Sequence, residues 1–337
     1  YPALQIWNDT LRSVLTLPLQ LLFVLAGFAG AGMGYGIAVA SLLTFPVGLY
    51  FVQVPLKKPS RQALGSIWEY ARYSVPGAVV STAYSRLDIL LIGFILSTGA
   101  AGQYEIAYKL TMPAILISTA VAPALFPKIS NLHSRGEAIS KEVSNTLAFA
   151  SILAIPIFFG ALAIPQSIVV TVYGGEYRAA ATLLIGLAFY QVLQTQVRMY
   201  ARTIGGIDKP RLNLRLSTLT LAINVIVGVG LIIEYGPIGA VIGTVVAEFV
   251  RYVAYVVLVR RLIPDVTILP RALLEQVGAG GVMFVVVESV NARYAIDGWL
   301  DLLVVIGVGA AVYGIVLLGI SHGLRTMLIS VYRDVSA

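Results

Sequence analysis

An all-α polytopic membrane protein of about ten transmembrane helices is the fold class this sequence predicts, on three observations. Of its 337 residues, 58% are apolar and only 12% charged, with a mean hydropathy of +0.88; ordinary soluble domains carry about 25% charged residues. Apolar runs near the roughly 20 residues that a bilayer span needs recur along the chain, too often to be a cleavable signal segment. Lys and Arg gather in alternate connections between these runs, as they do in loops on the inner side of a membrane.

Taken in order, the first two spans are expected at 11–30 and 33–54, joined by a tight turn at Ala31 and Gly32. The GAGMGYG at 30–36 has the look of a nucleotide loop, but it follows no strand and lies between two spans. It reads as a small-residue turn that permits close helix packing. A polar linker follows at 55–73 with Lys57, Lys58 and Arg61, and its second half places Leu64, Ile67, Trp68 and Tyr73 among polar residues. That pattern suits a helix lying in the membrane interface.

Spans three and four, 74–96 and 104–127, meet at a Gly/Ala-rich turn, and Pro113 and Pro123 should bend the second. Span five, 144–164, is interrupted by Pro156. A short loop holding Gly174 and Gly175 leads to span six at 179–200, which ends near Arg198 and Arg202. Spans seven and eight lie at 214–233 and 238–259, and Gly239 and Gly243 give the latter a close-packing face. Spans nine and ten follow at 272–290 and 299–320.

With the first end inside, the inner segments hold Arg12, the 55–73 cluster, Lys128, Arg135, Lys141, the 198–215 cluster, Arg251, Arg260, Arg261, Arg271, Arg325 and Arg333. The other side and the span interiors hold only Arg86, Lys109, Arg178 and Arg293. This bias accounts for the net charge of +7 as membrane orientation, and no nucleic-acid partner is expected. The sequon Asn8-Asp9-Thr10 falls inside on this topology and should stay unglycosylated. The chain has no Cys, and its two His residues, His133 and His322, are far apart; no metal site and no cofactor are expected. The first residue is Tyr1, so further chain is expected upstream.

Four charges stand where a bilayer resists them: Arg86 and Asp88 in span three, Glu105 and Lys109 in span four. An ionisable residue at that depth costs roughly 2.5–3.5 kcal/mol on insertion scales, so it faces a wet cavity or a partner. Arg86 and Asp88, two apart on a helix, point to different faces and are poor partners for each other. Glu105 and Lys109, four apart with Glu first, suit a local ion pair, and Glu248 and Arg251 suit another.

RLDILLIGF at 86–94 followed by GQYEIAYKL at 102–110 resembles the seventh and eighth helices of polysaccharide-biosynthesis membrane proteins, the repeat-unit flippases of the multidrug/oligosaccharidyl-lipid/polysaccharide superfamily. LFPKISNLHSRG at 125–136, VYGGEYRAAATLL at 172–184 and GPIGAVIGTVVAE at 236–248 resemble that family's later segments in the same order. The resemblance implies MATE-like lobes of about six helices each, with most of the first lobe absent here. Residues 1–54 would be its last two helices, 55–73 the linker, 74–262 the second lobe, and 263–337 an additional helix pair and tail.

The resemblance further implies flipping of a lipid-linked oligosaccharide at the cell membrane, the polyprenyl tail staying among the membrane lipids. Arg86 would attract the lipid (pyro)phosphate, Asp88 would orient it, bind sugar hydroxyls or couple to a cation, and Arg198 and Arg202 would form an inner vestibule; the alternatives are inter-helix salt bridges for Arg86 and Asp88 and positive-inside anchoring for Arg198 and Arg202. Glycan-assembly proteins would be partners. A multidrug exporter of the same superfamily is the alternative, though Arg86 argues against a cationic drug. A membrane glycosyltransferase or polymerase fits less well, since no Asp-x-Asp and no long polar loop occurs and no enzyme activity is expected.

Overall fold

The computed structural model describes residues 2–52, 60, 61, 64, 65, 68, 86–321 and 323–325. By internal contacts the chain divides into two compact units, 1–78 and 79–337. The helix expected along the interface within 55–73 falls mostly outside the described residues.

In the first unit, α1 (Pro2–Phe23) and α2 (Ala29–Val52) fold back on each other through a distorted turn at Val24–Phe28. Gly27 has φ 95°, a left-handed value that glycine adopts without steric cost. The turn thus precedes the expected position at Ala31 and Gly32. Those small residues belong to α2 and serve helix contact: a Cβ on Gly32 would lie 2.8 Å from the Phe23 carbonyl carbon, and one on Gly36 2.6 Å from the Gln20 nitrogen.

The second unit begins, among the described residues, with α3 (86–95). Ser97 then caps α4 (Thr98–Thr111), its hydroxyl accepting from the Ala100 N–H at 3.1 Å. A 3₁₀ turn at Met112–Ile115 marks the bend expected at Pro113 and leads into α5 (Leu116–Ser134). Next come α6 (Ser140–Phe149), α7 (Ala154–Ala163) and the short α8 (Pro165–Tyr173). The long helices α9 (Ala180–Gly206), α10 (Pro210–Tyr235) and α11 (Pro237–Leu262) follow, then α12 (Arg271–Asn291) and α13 (Trp299–Ile320).

Eight helical stretches among the described residues are long and apolar enough to cross a membrane. The first, Thr10–Val47, is the α1–α2 hairpin and supplies two of the expected spans, while span three is described only from residue 86. The protein is therefore a multi-pass membrane protein of the expected all-α class.

Helix α9 is the axis of the second unit and packs on α4, α5, α7, α8, α10 and α11. One apolar cluster gathers around its C-terminal half, with Met199, Tyr200 and Ile204 against Leu125, Ile129, Val143 and Tyr255. A second surrounds its N-terminal half, with Leu184, Leu187 and Ala188 against Ile92, Tyr104 and Ala240. A third joins α7 to α12 and α13 through Ile155, Met283, Val287 and Tyr313.

Between α6 and α7 the helix is broken at 150–153, one turn before Pro156. Pro156 has no N–H for the Ile152 carbonyl, and its ring crowds that group. Three neighbours supply donors to the break: the Gln196 amide to Leu147 O (3.2 Å), the Gln276 amide to Ala148 O (2.6 Å) and the Tyr313 hydroxyl to Ile152 O (3.0 Å). Such a break is tolerated at membrane depth when buried protein groups satisfy it.

Candidate functional site

Arg86 opens the described part of α3, whose last helical residue is 95. Nine steps of about 1.5 Å put it roughly 13–14 Å from that helix end, a length close to half of a ~30 Å hydrocarbon core. Its guanidinium pairs with Glu105 of α4 at 3.4 Å, and Glu105 also holds Lys109 at 3.4 Å. The local Glu105–Lys109 pair is thus present as the i, i+4 spacing suggests, and Arg86 is tied into it from the neighbouring helix. Arg86 remains 59% exposed, so the pair leaves its charge accessible.

Asp88 turns away from Arg86 into the helix packing. Its Oδ2 accepts from the Tyr104 hydroxyl at 3.0 Å and the Thr244 hydroxyl at 2.9 Å. Thr244 Oγ1 in turn accepts from the Asn224 amide at 3.3 Å. One carboxylate therefore links α3, α4, α10 and α11 in a layer of hydrogen bonds.

Below that layer, α10 and α11 run antiparallel with polar residues facing each other: Ser217 receives the Arg251 guanidinium at 3.5 Å, and Asn213 Oδ1 accepts from the Tyr255 hydroxyl at 2.9 Å. Glu248 lies between these layers, 2% exposed, with Oε2 3.5 Å from Arg251 Nη1. This is the i, i+3 pair the sequence suggests. On α9 a matching stripe recurs every four residues as Tyr190, Gln194, Arg198 and Arg202. Arg198 is half-buried and within electrostatic range of Tyr108, Tyr190, Arg202 and Glu248, while Arg202 is exposed.

These groups enclose a half-open cavity of about 210 Å³ lined by Arg86, Asp88, Tyr104, Glu105, Tyr108, Tyr190, Gln194, Asn224, Thr244 and Glu248. The structure brings Arg86 and Asp88 to this one cavity; Arg198 adjoins it electrostatically, and Arg202 is not among its lining. The cavity also recruits residues not singled out from sequence, chiefly Gln194, Asn224, Tyr108 and Thr244. The four-residue stripe on α9 was the readable signal for Gln194; the others, on α4, α10 and α11, are uncharged polar residues inside apolar runs and stand out poorly. No cluster of His, Cys, Asp and Glu suited to a metal ion occurs among the described residues.

A multi-pass helical membrane protein with a charged, half-open cavity among its helices is the class this architecture defines. The chain belongs to the polysaccharide biosynthesis protein family, whose profile matches residues 6–182, more than half of it. It is 31% identical over 236 residues to the probable low-salt glycan biosynthesis flippase Agl15 of Haloferax volcanii, covering 69% of this chain and 50% of that one. It is 26% identical over 324 residues to the probable flippase AglR of the same organism, covering 94% and 67% respectively. The chain thus spans about half to two thirds of the length of these relatives. The fold matches that of the lipid II flippase MurJ in an inward closed conformation, with a TM-score of 0.77 at 16% identity over 98% of this chain and 68% of that one.

Proposed function

We propose that the protein translocates a lipid-linked oligosaccharide or polysaccharide repeat unit across the cell membrane by alternating access. The observation that carries this reading is Arg86: an exposed guanidinium on a helical cavity whose other lining residues are three carboxylates, Asp88, Glu105 and Glu248, and aromatic and hydrogen-bonding side chains. A charged head group needs such a fixed counter-charge to leave water, whereas its lipid tail needs none. The likeness to relatives named as flippases supports the same reading.

In this scheme Arg86 and Arg198 take the phosphate, and Arg202 gathers it at the basic end of α9. Asp88, already holding two hydroxyl donors, keeps the wall of helices in register around the head group. Residues 1–54 close the first lobe, 55–73 link the lobes, 74–262 form the second lobe and 263–337 add a helix pair and tail. The protein makes and breaks no covalent bond; glycan-assembly proteins deliver its substrate and receive its product.

The test uses the complete gene in a strain lacking it. Loss of surface glycan together with accumulation of inward-facing lipid-linked intermediate is expected, and restoration by wild type but not by Arg86→Ala. Normal glycan without accumulation in the deleted strain would overturn the reading.

A further inference from the structure

We infer that Gln194 and Glu248 form an acceptor wall that recognises hydroxyl or amide N–H donors of the sugar next to the lipid phosphate. This subsite rests on the lipid-linked glycan reading and names which part of the cavity reads the sugar.

The two side chains lie one turn beyond the Asp88 layer, on α9 and α11, and both line the same cavity. Each has one end already engaged. The Gln194 amide nitrogen donates to the Tyr190 hydroxyl at 2.6 Å, which fixes the amide and turns Oε1 the other way. Glu248 Oε2 faces Arg251, leaving Oε1. Both remaining oxygens are buried and receive no donor among the described residues. A buried acceptor without a donor is costly, so a site that keeps two on one wall is complementary to a ligand bringing donors.

Phosphate cannot be that ligand, because its oxygens are acceptors and the wall is one as well. It belongs by charge with Arg86 and Arg198. A sugar ring presents several O–H groups, and an acetamido sugar adds an N–H. The division of the cavity therefore mirrors the head group: cationic where the phosphate sits, acceptor-lined where the first sugar sits. At about 210 Å³ the space is below the roughly 300–1,000 Å³ of drug-sized pockets, so it reads one sugar and leaves the rest of the glycan outside. A site built to satisfy its buried polar groups discriminates strongly against a ligand lacking the matching donor.

The probes are citronellyl pyrophosphate and the same molecule carrying one N-acetylglucosamine, with binding to the purified complete protein measured by calorimetry. Wild type should bind the sugar-bearing probe about tenfold or more tightly than the bare one. Gln194→Leu removes an acceptor without touching charge. In Glu248→Gln the new amide keeps its oxygen on Arg251 and turns its N–H₂ into the cavity, inverting the wall. Gln194→Leu should lose the preference while binding the bare probe as wild type does; Glu248→Gln should lose the preference too, and, by removing a negative charge near Arg198, should bind the bare probe no more weakly than wild type; Arg86→Ala should weaken both probes equally.

A preference unchanged in both variants overturns the subsite but leaves the flippase reading standing. Failure of wild type to bind either probe overturns both. If the variants change only a sodium dependence of binding, the wall holds a cation and the sugar assignment is wrong.

Discussion

The Tyr104 hydroxyl donates to Asp88 Oδ2 across 3.0 Å, joining α3 to α4 at the level where Thr244 joins both to α11. Asp88 is thus a carboxylate held by hydroxyls, with Arg86, two residues away, turned to a different partner. Tyr104→Phe removes one donor from a buried charged acceptor. The expected cost is about 1–3 kcal/mol, read as a lower melting temperature in detergent, and Thr244→Val should behave alike. A double variant losing less than the sum of the singles would show that the two hydroxyls act on one oxygen.

Arg86 and Glu105 are separable by their consequences. Arg86 is 59% exposed and Glu105 22%, so the pair is partly screened by solvent and breaking it from the acidic side should cost about 1 kcal/mol or less. Glu105→Gln should therefore keep normal expression and melting behaviour and should sustain glycan export. Arg86→Ala, with similar stability, should not support export in the complementation assay. Equal export in both variants would make Arg86 a brace alone.

The α10–α11 contact depends on bare backbone. A Cβ at Gly243 would stand 2.8 Å from the Gly228 Cα, and one at Gly239 would collide with the Leu231 carbonyl. Gly243→Ala should cost about 1–3 kcal/mol through forced separation of the helices. Because Asn224 and Thr244 face each other across the same contact, this variant should also reduce export, with Gly230→Ala, which meets no neighbour, as the control.

The break at 150–153 predicts its own sensitivities. Tyr313→Phe leaves the Ile152 carbonyl without its donor, and Gln276→Leu does the same to Ala148. Each should lower stability by about 1–3 kcal/mol. A cysteine placed at buried Ser151 should label with a membrane-permeant maleimide faster in either variant than alone, reporting local opening of the broken turn.

The spans were legible because twenty apolar residues between polar turns satisfy few other structures. The pairs Glu105–Lys109 and Glu248–Arg251 were legible because helical spacing alone places them together. Arg86–Glu105 was not, since nineteen residues separate the partners and only the packing of α3 on α4 joins them. The hairpin turn of the first unit was misplaced because Gly30, Gly32, Gly34 and Gly36 outweigh the single Gly27 by eye. Of these, Gly32 and Gly36 serve helix contact, and the positive φ values that turn the chain fall earlier, at Gly27 and Ala29. Helix α8 was read as loop because nine residues cannot span a bilayer. Gln194 and Asn224 carry no charge, and only the tertiary arrangement gives them meaning.

The donors at the break come from three different helices, and two of those helices are α12 and α13. This pair follows α11 in the chain, and could be mistaken for a late appendage. Yet Gln276 and Tyr313 complete the backbone hydrogen bonding of a helix some 128 and 161 residues earlier. The interrupted helix therefore draws two of the three donors at its break from the pair of helices that comes after it. A chain cut back to end before α12 would leave the Ala148 and Ile152 carbonyls without these donors in a setting where water cannot replace them.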